Sequence, residues 1–412
     1  MNKCVAILVT MDTKGSEADL LRSEIRRLGG DCLLIDMSVV GDTDRPVDVS
    51  AAQIAEAGGM PLSRLRDNPN RTDASAVMVR GATAILHGLI DENRVHSLIS
   101  LGGTQGTNNA AKVMQDLPYG FPKLIVSTLA AGNTAPYVGI KDIAMMFSVG
   151  DILGLNPLLR MILSNAAGAA YGMALAYGTR NSATDNRGAR PMIAITNLGV
   201  LTQGAMRAIQ AFEQRGYETI VFHAVGSGGK AMEQLVKDGL VAGVFDYGLG
   251  DIADAVHDGL RAADSERLRV AGRLGVPQVV VPGGIDHLGI QLAEPDTVPE
   301  KYRNHRYSYH NPVILVPRPD RKEMRAIVSE ISKRLEEAHS NTVFLLPLAG
   351  VSSYSARNGA LYDAEADEAM RLAFMEMLPR HIERVEIDAN AEDEIFIAEA
   401  VNRLTAMIEA RG

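Results

Sequence analysis

The amino-acid sequence predicts an α/β protein of two Rossmann-like domains, each a mostly parallel sheet with helices on both faces. Along most of the 412 residues, short apolar runs alternate with longer segments of helical periodicity, which is the pattern of parallel strands joined by crossover helices. The pattern starts again after a polar segment at residues 178–190. Each half begins with a β-α-β unit of similar length, which favours two related domains.

In the first half, five apolar runs predict strands, and they are Val5–Val9, Cys32–Asp36, Val95–Leu101, Lys123–Ser127 and Ala144–Phe147. Apolar residues at helical spacing predict helices over 17–28, 110–117 and 152–177. The polar segment 41–70, which contains three prolines, predicts an insertion with one short helix near 51–57. The apolar stretch 166–176 is too short and too rich in small residues for a membrane span, so we expect a closely packed helix there.

In the second half, six runs predict strands, and they are Pro191–Thr196, Thr219–His223, Gln278–Val281, Val313–Pro317, Thr342–Leu346 and Arg384–Ile387. Helices are predicted over 203–215, 231–237, 321–338, 365–377 and 393–410. The segment rich in glycine and polar residues between the halves predicts a linker at 181–190. The predicted domains are therefore residues 1–180 and 191–412.

Composition narrows the classes of partner. The net charge is −9, the isoelectric point is near 5.6 and there is no tryptophan, which argues against broad binding of nucleic acid or of an anionic membrane. The two cysteines, Cys4 and Cys32, lie in or near apolar runs, so we expect reduced, buried thiols rather than a disulfide. The N-terminus leads directly into a strand without a signal-peptide pattern. We therefore expect a cytoplasmic protein whose ligands are small molecules.

The most informative stretch is the glycine-rich turn from Leu101 to Asn109, which follows a strand-like run and opens a helical pattern. A turn of this kind leaves backbone N–H groups unpaired, and the helix dipole adds partial positive charge. The turn therefore predicts an anion site, with phosphate as the usual occupant. No Gly-Lys-Ser/Thr sequence closes it, so it is not a P-loop. The alternative is that the turn only bends the chain.

A second turn of interest follows the first predicted strand and contains Asp12, Thr13 and Lys14. In an open parallel sheet, ligands bind outside the carboxyl ends of the strands, where the strand order reverses. Both turns are expected at that edge, where Lys14 can reach a phosphate and Asp12 can hold ribose hydroxyls or a metal ion. The alternative is that Asp12 and Thr13 cap the helix and that Lys14 is solvated.

The second half carries its own polar residues after strands. His223 begins a glycine-rich segment, Asp286 and His287 follow another strand, and His310 precedes a further one. Histidine can move a proton near neutral pH or bind a metal, so these four residues are the candidate catalytic group. No metal-binding spacing such as His-Glu-x-x-His is present. Each histidine taken singly is also compatible with a hydrogen-bonded loop residue.

Several motifs occur in a fixed order along nearly the whole chain: VTMDTK, SLGGTQGT, IVSTLAAGNT, VFHAVGSGGKAME and GVS. Together they resemble the ATP-binding domain family named after the N-terminal domain of the tobamovirus resistance protein. The resemblance implies two Rossmann-like domains, ATP in the first and a homodimer. It places Asp12, Thr13 and Lys14 at or near the phosphates, and it completes the site with Arg80 or Gly81 and the turn Gly103, Thr104, Gln105 and Gly106.

The chain departs from the family pattern in its second half. The family usually has Leu-Asp-Met-Val-Asn-Phe where this chain has residues 285–290, so Asp286 is kept and Gly289 replaces asparagine. The family also usually has an aspartate at the position of Ser355. The second half is therefore expected to handle a different ligand or none.

The leading interpretation is an ATP-binding enzyme of small-molecule metabolism, with Mg²⁺ as an optional companion of the nucleotide and its active site in a cleft between the domains. One alternative is a non-catalytic protein that senses a nucleotide. Another is a metal-assisted lyase or hydrolase.

Overall fold

The computed structural model describes residues 2–67, 70–179, 190–339 and 341–411. The chain divides into two compact units, residues 1–187 and 188–412, and each is described by itself. All of the predicted linker except its last residue lies outside the described residues.

The first unit is a five-stranded parallel sheet covered on both faces. Its strands are β1 (Cys4–Val9), β2 (Asp31–Asp36), β3 (Ser97–Gly102), β4 (Lys123–Ser127) and β5 (Ile143–Phe147). Its helices are α1 (Met11–Arg27), α2 (Ala51–Ala57), α3 (Leu62–Asp67), α4 (Arg71–Asp91), α5 (Thr104–Asp116), α6 (Ala135–Val138) and α7 (Pro157–Thr179). The strand order is β2-β1-β3-β4-β5, so the order reverses between β1 and β3.

The two faces of this sheet are built from alternate residues of the same strands, as the period of a strand requires. Val5, Ile7 and Val9 of β1 pack with α1 and α7 on one face. Ala6 and Leu8 pack with α2, α4 and α5 on the other face. The helices that follow β1 and β3 therefore leave the sheet on opposite faces, which opens a crevice between the two strand ends.

The second unit repeats this topology and extends it. Its strands are β6 (Met192–Asn197), β7 (Glu218–His223), β8 (Gly243–Gly248), β9 (Gln278–Gly283), β10 (Ile290–Gln291), β11 (Tyr307–Asn311), β12 (Ile314–Pro317), β13 (Thr342–Pro347) and β14 (Glu383–Ile387). Its helices are α8 (Thr202–Gln214), α9 (Ser227–Lys237), α10 (Gly250–Val256), α11 (Val270–Arg273), α12 (Arg321–Arg334), α13 (Ala364–Met377) and α14 (Glu394–Glu409). The order of its parallel sheet, β7-β6-β8-β9-β13-β14, begins like the first sheet. The structure therefore confirms the predicted fold class.

Two details of the second unit differ from the prediction. The predicted strand 313–317 corresponds to β12, which pairs antiparallel with β10 and β11 in a separate small sheet. The central strand β8 was not predicted, because Asp246 and the flanking glycines interrupt its apolar run. All six residues of β8 are nevertheless buried, since the strand is covered on both faces.

The insertion in the first unit also has more structure than predicted, because α2 and α3 both fall within it. Helix α7 is long and apolar enough to cross a membrane by length and composition. Its buried residues, including Leu159, Leu163 and Ala167, pack into the core beside α1. One side of α7 therefore contributes to the core of the first unit.

Helices α2 and α4 approach closely at Gly81. A Cβ atom at Gly81 would lie 1.8 Å from the carbonyl oxygen of Ile54, whereas a Cβ at Gly88 of the same helix would meet no atom within 4 Å. We expect Gly81→Ala to lower the free energy of unfolding by about 1–3 kcal/mol through overpacking. The matched change Gly88→Ala should raise it by about 0.5–1 kcal/mol, because alanine restricts the unfolded chain.

Denaturant unfolding followed by circular dichroism measures both changes. Equal effects at the two positions would contradict the close approach of α2 and α4.

Candidate functional site

A cavity of about 680 Å³ lies at the carboxyl ends of β1 and β3, where the strand order reverses. It is lined by Asp12, Thr13 and Lys14 and by the whole turn from Leu101 to Gly106. The volume is in the range of small-molecule sites, which is roughly 300–1,000 Å³. The structure therefore brings together seven of the nine residues predicted for nucleotide binding.

The start of α1 differs from the prediction. The helix begins at Met11, directly after β1, so Asp12, Thr13 and Lys14 form its first turn and not a loop. Its first N–H groups are already paired: Met11 donates to Asp36 Oδ1 and Asp12 to the Ser38 hydroxyl, both at 3.0 Å. The next two N–H groups donate to the carbonyl oxygen of Thr10. This helix start has no free N–H for an anion.

The start of α5 is open by contrast. Its N-cap residue, Gly103, supplies no side chain, and the first N–H with a partner is that of Thr107, which donates to the Gly103 carbonyl at 2.9 Å. Within the part of the chain that the structure describes, no group accepts from the N–H of Thr104, Gln105 or Gly106. Three N–H groups at a helix N-terminus that lines a cavity make an anion site.

The glycines of this turn differ in how much space a side chain would have. A Cβ at Gly102 would lie 2.9 Å from the Cα of Gly106, so the fold requires glycine there. A Cβ at Gly103 would meet only Thr128 Oγ1 at 3.9 Å, and one at Gly106 only the Leu101 carbonyl oxygen at 3.4 Å. Packing therefore leaves room for a side chain at positions 103 and 106. Close approach of a ligand to the backbone would require glycine at both positions.

Two charged side chains that line the cavity, those of Asp12 and Lys14, can form further hydrogen bonds or ionic contacts. Asp12 Oδ2 accepts from the Gly41 N–H at 3.1 Å, whereas Oδ1 is buried without a partner in the described chain. Lys14 is the one cation among the described lining residues, and its Nζ donates to the Ile152 carbonyl oxygen. An ammonium has three donors, so Lys14 can keep that carbonyl and also reach an anion.

The far wall of the cavity was not predicted. Helix α4 contributes Ser75, whose hydroxyl donates to Asn109 Oδ1, and Gln105 Nε2 reaches the same oxygen at 3.2 Å. The spacing of Gln105 and Asn109 on α5 is the only sequence signal for this polar cluster. Apolar side chains that also line the cavity are Met37, Val39, Val40, Leu65, Ala74, Met78 and Ala110.

The structure does not bring Arg80 or Gly81 to the cavity. Arg80 lies on the exposed side of α4 and donates to the Gly58 carbonyl oxygen at 3.0 Å. Gly81 is buried where α4 crosses α2. Both residues serve the packing of these two helices, because their position in the helix directs them away from the strand ends.

In the second unit, the structure joins two of the four predicted catalytic residues. Asp286 Oδ1 accepts from His287 Nδ1 at 2.9 Å, and Asp286 Oδ2 accepts from the Ser352 hydroxyl. Burial alone would raise the pKa of Asp286, but the hydrogen bond and charge of His287, with hydrogen bonds from Ser352 and Ser355, lower it to about 2. Asp286 is therefore a fixed, ionised carboxylate at the end of β9.

The other ring nitrogen of His287 is also occupied. Arg261 NH1 lies 3.0 Å from His287 Nε2, and the same guanidinium donates to both oxygens of Asp254. Because a carboxylate only accepts and a guanidinium only donates, Nδ1 of His287 donates to Asp286 and Nε2 faces the donor Arg261. Its Nε2 cannot accept a proton from a substrate unless Arg261 moves.

His223 and His310 lie elsewhere. His223 is exposed at the end of the edge strand β7, and its Nδ1 lies 3.2 Å from the Asn197 carbonyl oxygen. His310 is exposed on β11 of the small antiparallel sheet. No hydrogen bond or ring contact between described residues joins either histidine to His287. Among the described residues, a direct contact therefore joins only Asp286 and His287 of the four predicted catalytic residues, while His223 and His310 lie on β7 and β11.

A buried ionic cluster fills the position between β6 and β8 where the order of the second sheet reverses. Arg267 is fully buried and donates to both oxygens of Asp246, at 2.5 and 2.6 Å, and to Asp251 at 3.0 Å. Glu233 lies 3.6 Å from the same guanidinium. Burial raises the pKa of Glu233 to about 7 against the lowering effect of Arg267. Three carboxylates thus share one guanidinium.

A group with metal-ligand chemistry occurs at the start of α12. The ligand atoms of His305, Asp320 and Glu323 lie within 4.8 Å of one another. Asp320 and Glu323 already form the capping box of the helix, and His305 Nε2 lies 2.9 Å from Glu323. Lys301 approaches Glu323 at 3.6 Å. Helix capping and charge pairing account for this group without a metal ion.

The raised pKa of Glu233 has a consequence for stability. A carboxyl group whose pKa is higher in the folded protein than its ordinary value of 4.5 stabilises the fold at low pH and loses that contribution as pH rises through 7. We expect the melting temperature to fall between about pH 5 and pH 8. Glu233→Gln should flatten this slope, because glutamine cannot ionise.

The exposed Glu336→Gln is the matched control and should leave the slope unchanged. Thermal unfolding of the whole chain at several pH values gives the measurement. A slope that persists in Glu233→Gln would mean that Glu233 does not carry the buried proton.

Comparison with known proteins follows the division of the fold. Residues 3–179 match the model of the N-terminal domain of the uncharacterised protein family UPF0261. Residues 190–408 match the C-terminal domain of the same family.

Relatives come from bacteria and from a plant. A UPF0261 protein of Clostridium tetani is 37% identical over 410 residues, which cover 99% of this chain and 100% of the relative. A UPF0261 protein of Mesorhizobium japonicum is 36% identical and covers 89% of each chain. The tomato ToMV resistance protein Tm-1 is 32% identical over 76% of this chain and 41% of its own length.

Similar solved structures include two UDP-N-acetylglucosamine 2-epimerases. The enzyme from Rickettsia bellii has a TM-score of 0.25 at 9% identity and covers 68% of this chain and 79% of its own. The enzyme from Methanocaldococcus jannaschii has a TM-score of 0.24 at 9% identity and covers 98% and 99%. These scores carry no argument about ligand or reaction. The match of both domain models and the identity to full-length relatives show that the chain belongs to the uncharacterised protein family UPF0261.

Proposed function

We propose that the first unit binds a nucleotide, with ATP as the expected ligand, and that its phosphates lie at the N-terminus of α5. The observation that carries this proposal is a cavity lined both by Lys14 and by the start of α5, whose first three N–H groups have no partner among the described residues. These donors match the negative charge of a diphosphate. The apolar wall on the other side offers space for a base.

Asp12 gives the ligand an orientation. Asp12 lines the cavity, and its buried Oδ1 has no partner among the described residues, which costs free energy unless a donor or a cation is supplied. A ribose hydroxyl would supply a donor. A Mg²⁺ ion bound to the phosphates would be coordinated by the same oxygen, since Mg²⁺ prefers carboxylate ligands and keeps several waters.

The second candidate function is a nucleotide-sensing protein without turnover. It is favoured by the second unit, where both ring nitrogens of His287 are engaged and where His223 and His310 lie apart from it. An enzyme of small-molecule metabolism would need Arg261 to release His287. Production of ADP from ATP, followed with and without small carboxylates, separates the two candidates. A homodimer, which the resemblance implies, and a cytoplasmic location, which the cysteines and the N-terminal sequence lead us to expect, are part of the proposal.

The first prediction of this proposal concerns the glycine turn. Gly103→Val and Gly106→Val should abolish ATP binding in calorimetry, because each side chain would project toward the phosphates while packing leaves room for it. Circular dichroism should remain that of the parent protein. Gly132→Val is the control, since Gly132 has similar room but does not line the cavity. Full affinity in both turn variants would mean that the turn only bends the chain.

The second prediction concerns Lys14. Lys14→Ala should weaken ATP binding by about 1–3 kcal/mol, the usual contribution of a hydrogen bond to a charged group. Lys112→Ala removes the same charge from the exposed side of α5 and should change the affinity little. If the two variants bind ATP equally well, Lys14 makes no contact with the phosphate.

A further inference from the structure

A second cavity, of about 410 Å³, lies on the other side of the α5 N-terminus. It is lined by Gly103, Thr104, Thr128, Phe147, Val149, Gly150 and Asp151. These residues come from the carboxyl ends of β4 and β5 and from the start of α5. The two cavities meet at Gly103 and Thr104, which line both of them.

Of the two residues that line both cavities, Thr104 alone has a side chain. Gly103 has none, and a Cβ there would meet only Thr128 Oγ1 at 3.9 Å. Phosphates held by the N–H groups of α5 are therefore adjacent to both spaces. A ligand with its nucleoside in the first cavity can extend a further group into the second.

The segment around the second cavity is also linked to α1. Lys14 of the first cavity donates to the carbonyl oxygen of Ile152, which directly follows Asp151. The N–H of Gly154 donates to the buried carboxylate of Glu17 at 2.9 Å. The two hydrogen bonds hold this segment against α1.

The residues that line the second cavity indicate which chemical group of a ligand it would bind. Asp151 is its one charged lining residue, and it accompanies the hydroxyls of Thr104 and Thr128. A carboxylate accepts hydrogen bonds from hydroxyl groups and repels a further phosphate. Phe147 and Val149 are 39% and 59% exposed, and they offer an apolar surface to a ring. The lining therefore suits a hydroxyl-bearing ring better than a terminal phosphate.

Val149 also carries backbone strain. Its φ is 63°, in the left-handed region, which a β-branched residue rarely adopts. The Ser148 hydroxyl donates to the Gly150 carbonyl oxygen at 2.7 Å and stabilises this turn. Strained positions of this kind cluster at ligand sites, and here the strain presents the valine side chain at the cavity.

We propose that the ligand is a nucleoside diphosphate that bears a second, hydroxyl-bearing ring, and that this ring occupies the second cavity. The inference rests on the proposed nucleotide site and adds to it the class of ligand. It makes ATP a weaker ligand than a conjugate of ADP, because the third phosphate of ATP would face Asp151.

Calorimetry of the whole chain with ADP, ATP and ADP-ribose tests this inference. ADP-ribose should bind about tenfold more tightly than ADP, which corresponds to one or two added hydrogen bonds. Thr128→Phe should fill the second cavity, remove the advantage of ADP-ribose and leave the affinity for ADP unchanged. Ala74→Phe, in the first cavity, should weaken both ligands equally.

The last variant changes a charge at an exposed position, so it removes no buried contact. Asp151 is exposed, and Asp151→Asn should raise the affinity for ATP relative to that for ADP-ribose. Equal binding of ADP and ADP-ribose, or tighter binding of ATP than of either, would overturn the inference and leave nucleotide binding intact. Failure of all three ligands to bind would overturn the proposed function together with the inference.

Discussion

The candidate site depends on one topological constraint, the departure of the chain to opposite faces of the first sheet after β1 and β3. This departure leaves a crevice at the carboxyl edge of the sheet with a helix N-terminus on either side. Asp36 and Ser38 pair the first N–H groups of α1, whereas those of α5 remain open. The turn into α5 is too tight for a side chain at Gly102, and the residues that follow it line the crevice.

The parallel sheet of the second unit begins with the same strand order as the first sheet. At the corresponding strand ends, however, N–H groups and charges are paired within the protein. The N–H groups of Gln203 and Gly204 at the start of α8 donate to the carboxylate of Glu392. After β8, Asp251 pairs with the buried Arg267. The protein's own charges thus occupy the positions that a ligand would use. Buried charges are costly unless they are paired, so these networks fix the second unit and restrict ligand chemistry there.

The residues after β9 and β13 follow the same principle. Ser355 stands where the resembling family usually has an aspartate, and its hydroxyl helps to hold the pKa of Asp286 low. A carboxylate at that position would instead repel Asp286. Asp286 then orients His287, which is in turn held by Arg261. A histidine with both nitrogens engaged fixes the loop as a structural element.

The sequence by itself determined the alternation of strands and helices, the restart after the linker and the glycine-rich turn, because these features are local in the chain. It did not determine the start of α1, where Met11 pairs with Asp36, 25 residues away, and Asp12 pairs with Ser38, 26 residues away. Nor did it reveal the wall from α4, the packing of Gly81 on α2 or the pairing of His287 with Arg261. Those were decided by the tertiary structure, since they require distant segments to meet.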